Sequence, residues 1–309
     1  MEPPAAPPTT ASAGPGLARR IGALAHSSWP VRAVWLVLPL VAGPGLSGAL
    51  AGSSAPVRWV AGVLAWAGWL VALVATLVPS TASLTVLRVA GPAALAAGVA
   101  ACVAGTGPTA GVAAVAAGLL VALVSLAPET AEVFVDGSSY GEERRLPLRT
   151  PTPLVAGPAE LAWLAVVAGP VAGALLLAAG QWLAGALVLV AGLPLAWLGA
   201  RSLHALARRW LVFVPAGLVV HDHLALAEPT LLRRGAIRSL AAAPASTDAL
   251  DLTAGAAGLA LEVRLADPVA VVPAARRGTP VELTEVTALL VTPSRPGRVL
   301  AEARRRRLG

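Results

Sequence analysis

At 309 residues the chain is long enough for more than one domain, and 57% hydrophobic against 13% charged residues excludes an ordinary soluble protein with a polar surface all round. The net charge of +7 rests on 23 basic residues, every one an arginine, which together with heavy Ala, Gly, Val and Leu usage points to a GC-rich bacterial genome more than to a function. The single cysteine, Cys102, excludes an intrachain disulfide and a cysteine-based metal site, and within its apolar segment it reads as a small buried hydrophobe.

In chain order, residues 1 to 30 are rich in Pro, Ala and Thr, lack apolar periodicity and read as a disordered tail. A bilayer core about 30 Å thick needs roughly 20 mostly apolar residues per spanning helix. Six segments within residues 31–203 qualify: Ala33 to Leu50, Trp59 to Val78, Val89 to Gly105, Thr109 to Ala127, Leu161 to Ala179 and Trp182 to Ala200. The third extends back to Leu84 if Arg88 snorkels to the headgroups. Ala49-Leu50-Ala51 fits a small-x-small cleavage site, while the long tail before the first span argues that it stays attached. Trp35, Trp59, Trp182 and Trp197 fall at span ends, where an aromatic belt is expected.

Arginine placement orients the segments. Arg19, Arg20 and Arg32 precede the first, Arg88 lies between the second and third, Arg144, Arg145 and Arg149 lie between the fourth and fifth, and Arg201, Arg208 and Arg209 follow the sixth. The opposite loops hold only Arg58, so the positive-inside rule places both termini in the cytoplasm of a multi-pass cell-membrane protein. Recurrent Gly and Ala allow close helix packing. Pro39, Pro44, Pro92, Pro170 and Pro194 are expected to kink or break their spans. The pentapeptide Val89-Ala90-Gly91-Pro92-Ala93 recurs as Val155 to Ala159, a match of the size that chance supplies in so Ala-rich a chain.

Ionisable groups at membrane depth mark ion pathways, and here only Glu160 approaches that position. Beside Pro158 it reads as a helix-start glutamate at the interface; if buried, its partner would be Arg144 or Arg145. The loop 128–152 carries a turn cluster at Asp136 to Gly141 and the charged run Glu142-Glu143-Arg144-Arg145. Two readings stay open for it, docking on the C-terminal domain or a solvated loop.

Beyond the sixth span the period changes from helical to alternating. Leu259, Leu261, Val263 and Leu265 alternate with Ala260, Glu262 and Arg264. Further strand-like runs are Trp210 to Val214, Leu218 to Leu224, Thr230 to Arg233, Ala249 to Thr253, Val269 to Val272 and Val286 to Val291, with turns at Pro215-Ala216-Gly217 and Gly278-Thr279-Pro280. Arg298 to Leu308 reads as a short helix. The expected fold is a six-helix integral membrane bundle followed, over 207–309, by a small cytoplasmic β-barrel or sandwich with a C-terminal capping helix.

The stretches Trp210 to Val220 and Leu231 to Ile237, with the ending Ala288 to Pro293 and Arg298 to Arg304, resemble the first strands, last strand and capping helix of bacterial pleckstrin-homology-like (PH-like) domains. The resemblance covers about the last hundred residues and implies an adaptor or scaffold module. Relatives that bind phosphoinositides carry basic residues at the first strand turn, and Pro215-Ala216-Gly217 has none.

Candidate sites are few. The run Arg304, Arg305, Arg306 and Arg307 faces either anionic lipid or solvent. His221 and His223, spaced to share a strand face, have only Glu228 as a nearby third ligand, so no metal or other cofactor is expected. Nothing resembles a catalytic constellation, and a basic stripe interleaved with aromatics, as nucleic-acid binding requires, is missing. The expectation is a non-enzymatic membrane scaffold or regulator whose partners are membrane lipids and another membrane or membrane-associated protein. The alternative is a small-solute or lipid transporter or channel regulated by its soluble domain.

Overall fold

The computed structural model describes residues 27–274 and 283–308; the expected tail up to residue 26 and the turn at Gly278-Thr279-Pro280 lie outside them. The elements in chain order are α1 (Trp29–Ala49), α2 (Ala55–Leu77), α3 (Thr81–Val103), α4 (Pro108–Leu126), α5 (Pro128–Asp136), β1 (Arg144–Pro147), α6 (Thr152–Val155), α7 (Pro158–Ala178), α8 (Trp182–Ala207), β2 (Trp210–Val214), β3 (Gly217–His221), β4 (Thr230–Arg233), β5 (Ile237–Ala242), β6 (Leu250–Asp251), β7 (Leu261–Val271), β8 (Thr284–Val291) and α9 (Pro296–Arg306).

Helices α1 to α4, α7 and α8 are long and apolar enough to cross a membrane. Proline in the first turn, where no helical N–H donor is lost, starts α1, α2, α4 and α7. At α3 the Ser80 hydroxyl caps the helix by accepting from the Ser83 amide at 3.1 Å. The interior prolines all remain inside continuous helices. The two copies of the pentapeptide differ, one lying inside α3 and the other forming the turn into α7.

Small residues decide how closely these helices approach. A Cβ on Gly98 would sit 2.6 Å from the Ala114 carbonyl oxygen, and one on Gly118 would sit 2.7 Å from that of Ala94, so α3 and α4 meet backbone to backbone. Trp35, expected in an aromatic belt, is instead buried and donates its indole N–H to Ser125 at 3.3 Å. Because α1 starts at Trp29 rather than at residue 33, Trp35 lies nearly two turns in and faces the core, whereas Trp59, Trp182 and Trp197 are exposed. Cys102, expected to be buried, is exposed near the end of α3.

The loop between α4 and α7 folds back on both parts of the molecule. Helix α5 crosses the end of the bundle from the terminus of α4, where the Thr130 hydroxyl donates to the Val124 carbonyl at 2.7 Å, to the α2–α3 connection, where Gly137 abuts Pro79. Its Ala131, Phe134 and Val135 join Trp35, Leu84, Leu87 and Val121 in one buried cluster. Strand β1 then pairs antiparallel with β2, Arg144 opposite Phe213 and Pro147 opposite Trp210.

The C-terminal unit is therefore discontinuous in sequence. One sheet has the order β1-β2-β3-β4 and the other β5-β7-β8-β6, with every pairing antiparallel except that of the two-residue β6 with β8. Leu211, Phe213 and Leu218 of the first sheet pack against Leu261, Val263 and Leu289 of the second, and Val299 and Ala303 of α9 close one end. At the tight turn into β3, Gly217 has φ +149°, and a Cβ there would collide with the Leu232 carbonyl.

Among the described residues each sheet keeps two edges without a full strand partner, and isolated bridges, Leu148 with Pro293 and Leu226 with Pro273, link further segments. The architecture is an open two-sheet sandwich with a helix and not a closed barrel, because a two-residue edge strand such as β6 is too short to seal a barrel seam. The runs expected at 259–265 and 269–272 merge into the single strand β7, which is irregular between Arg264 and Val269.

Candidate functional site

Helix α5 is amphipathic in an unusual sense, since both of its faces are covered by protein. Spacings of three and four residues put Glu129, Glu132 and Asp136 on the side opposite the apolar cluster. Glu132 is only 2% exposed. Its carboxylate accepts from Arg144 Nη2 at 2.9 Å, Arg295 Nη1 at 3.0 Å and Arg298 Nε at 3.3 Å. Asp136 accepts from Arg144 Nη1 at 2.6 Å and from the Arg145 amide at 2.9 Å, and Glu129 lies 3.7 Å from Arg295.

Three carboxylates and three arginines thus form a balanced seam between the bundle-capping helix and the start of α9. Charge-assisted hydrogen bonds of this kind contribute about 1.5–3 kcal/mol each when a group is removed. Glu132→Gln, which keeps the shape and one acceptor, should therefore raise amide exchange in α5 and the first turn of α9 by tenfold or more while β7 and β8 stay protected. Hydrogen-exchange mass spectrometry on the full chain reads this directly, and unchanged exchange at both helices would show that the seam carries no energy.

A second junction ties the end of α8 to the first sheet. Arg209, two residues beyond that helix, is 2% exposed and grips Asp222 bidentately, Nε to Oδ1 at 2.7 Å and Nη2 to Oδ2 at 2.6 Å. The remaining Nη1 donates to the Arg149 carbonyl at 2.8 Å, so one guanidinium joins the α4–α7 loop, the exit from α8 and β3. Beside it the His221 ring stacks on Trp210 at 4.8 Å.

Strand β3 ends at His221, which removes His223 from the strand and from the shared face expected of the pair. Burial first, then the Arg208 charge, hold the His221 imidazole below its usual range, so the neutral ring is what packs on Trp210. Among the described residues no group of three His, Cys, Asp or Glu side chains is placed to hold a metal ion.

The four C-terminal arginines are not equivalent. Arg305 and Arg306 both bond Glu302, at 2.7 and 2.6 Å, and Arg306 also reaches the Glu142 carbonyl and lies over the Phe213 ring. Burial raises the Glu302 carboxyl, but these two guanidiniums outweigh it and hold the group below the ordinary carboxylate range. Arg304 and Arg307 are exposed. Together with Arg144 and Arg234, Arg305 to Arg307 line an open cleft of about 750 Å³ at the turn Val214-Pro215. The first strand turn, uncharged in sequence, thus acquires arginines from distant segments, although Arg234 already donates to the Arg306 carbonyl.

Glu160 is exposed in the first turn of α7. Arg144 and Arg145, the partners considered for it, bind Glu132, Asp136 and Glu143 instead. Sequence reasoning missed the seam itself; the only local signal is the i, i+3, i+7 spacing of Glu129, Glu132 and Asp136. Set against known proteins, the chain matches no family model, no curated protein and no solved structure.

Proposed function

We propose that this is a multi-pass membrane scaffold or regulator that presents a PH-like two-sheet domain at the cytoplasmic face and acts on another membrane component. The observation that carries the reading is the seam at Glu132, because a domain held to the bundle through buried charge is positioned rather than tethered. Trp35, Leu84, Leu87 and Phe134 fill the bundle end beneath it, which favours a fixed platform over a solute path. The arginine distribution supports the cytoplasmic placement.

Affinity purification of the full chain from native membranes after crosslinking tests the proposal. A second membrane protein should be recovered in fixed ratio, crosslinked to the two-sheet domain. Solute flux in vesicles containing this protein alone would overturn the scaffold reading in favour of transport. Reporter insertion within residues 138–141 tests orientation separately, and external labelling there would sink it.

A further inference from the structure

Arg88 lies in the second turn of α3, half-buried, and makes no hydrogen bond or ion pair with any described residue. Neighbouring contacts set its depth. Three residues before it, Thr85 Oγ1 meets His204 Nδ1 of α8 at 2.9 Å; one residue after it, the Val89 carbonyl accepts from the Trp163 indole of α7 at 3.0 Å. Gly91 packs on Ser125 of α4. Those partners lie three, five and one residues from the ends of their helices, so Arg88 sits within about 8 Å of the bundle end that carries the two-sheet domain.

The carboxylates at this end are committed elsewhere, Glu132 and Asp136 to Arg144, Arg295 and Arg298, and Glu129 to Arg295. Glu160 is exposed on α7 and forms no ion pair with Arg88. A cation in apolar surroundings without a counter-charge is costly. At the boundary between hydrocarbon and headgroups, the abundant anion is a lipid phosphate. Pro92, four residues on, lacks the N–H that would bond the Arg88 carbonyl, so the same turn also frees an acceptor for a headgroup hydroxyl.

We propose that Arg88 binds the phosphate of an anionic, hydroxyl-bearing phospholipid against the flank of α3. This rests on the six helices being bilayer spans. Arginine suits the task because its planar fork meets two phosphate oxygens at once and stays charged when partly buried.

The test uses the full chain in mild detergent, with binding read by native mass spectrometry and thermal shift. Phosphatidylglycerol, phosphatidylcholine and inorganic phosphate serve as probes. The wild type should retain one phosphatidylglycerol at least tenfold more tightly than phosphatidylcholine, Arg88→Gln should lose that preference, and inorganic phosphate should give no shift. Arg88→Lys, which keeps the charge and guards against misfolding of the Gln variant, should retain a reduced preference. Equal preference in Arg88→Gln and wild type overturns the site. Protection by inorganic phosphate equal to that by lipid overturns the lipid assignment. Resistance of the wild type to alkaline extraction from membranes tests the spans independently, so a chain that stays in the membrane yet shows no lipid preference refutes the Arg88 site alone.

Discussion

Asp222→Ala should destabilise the two-sheet domain by about 3–5 kcal/mol, the range expected when one partner of a buried ion pair is removed and the other stays behind unpaired. Arg209 would keep only its bond to the Arg149 carbonyl, inside a site where both side chains are shielded from water. Arg209→Met should cost a similar amount for the mirror reason, stranding the Asp222 carboxylate. The double variant Arg209→Met, Asp222→Leu should recover most of the loss, since a packed apolar pair of similar volume replaces two desolvated charges. Amide protection in β2 and β3 of the detergent-solubilised chain provides the measurement. A double variant that loses the sum of the two single losses would mean that Arg209 and Asp222 contribute independently, with no electrostatic coupling between them.

A fragment beginning at residue 207 should fail to melt cooperatively, although its run of strands reads in sequence as an independent unit. It lacks β1, so the edge of β2 loses the backbone partners that Arg144 to Pro147 supply. It also lacks Leu146 and Leu148, both buried in the shared core and each contributing roughly 2 kcal/mol by apolar burial. Against a typical domain stability of about 5–15 kcal/mol, losing a strand and two core residues removes much of the margin. Joining residues 128–152 to the fragment through a flexible linker should restore a cooperative, β-rich melt by circular dichroism. A cooperative transition in the bare fragment would show that β1 is an ornament on a complete domain.

In sequence, residues 207–309 read as a domain that folds on its own and melts cooperatively, and the reason the structure points the other way is local. Arg144-Arg145-Leu146-Pro147 has no alternation, carries two charges and ends in proline, so nothing within those four residues calls for a strand; its pairing is supplied wholly by β2, more than sixty residues later. Proline is tolerable there because β1 is a sheet edge. Likewise Glu132 lies in a loop by composition, and the arginines that bury it, Arg295 and Arg298, are over 160 residues away.

By itself the sequence determined the parts whose signal is short-range: six apolar helices, four of them with proline in the first turn, the change to alternating strands after α8, the capping helix, and the glycines that let α3 and α4 touch. These follow from transfer energy, backbone hydrogen bonding and side-chain size, which act over a few residues at a time. Only the tertiary structure decided that Trp35 is core and not belt, that the sheets stay open, that β3 stops before His223, and that the loop after α4 belongs to both halves of the molecule. Each of those outcomes depends on which distant group arrives to satisfy a charge, an edge or a cavity, and the alternation of a single segment carries no information about its partner.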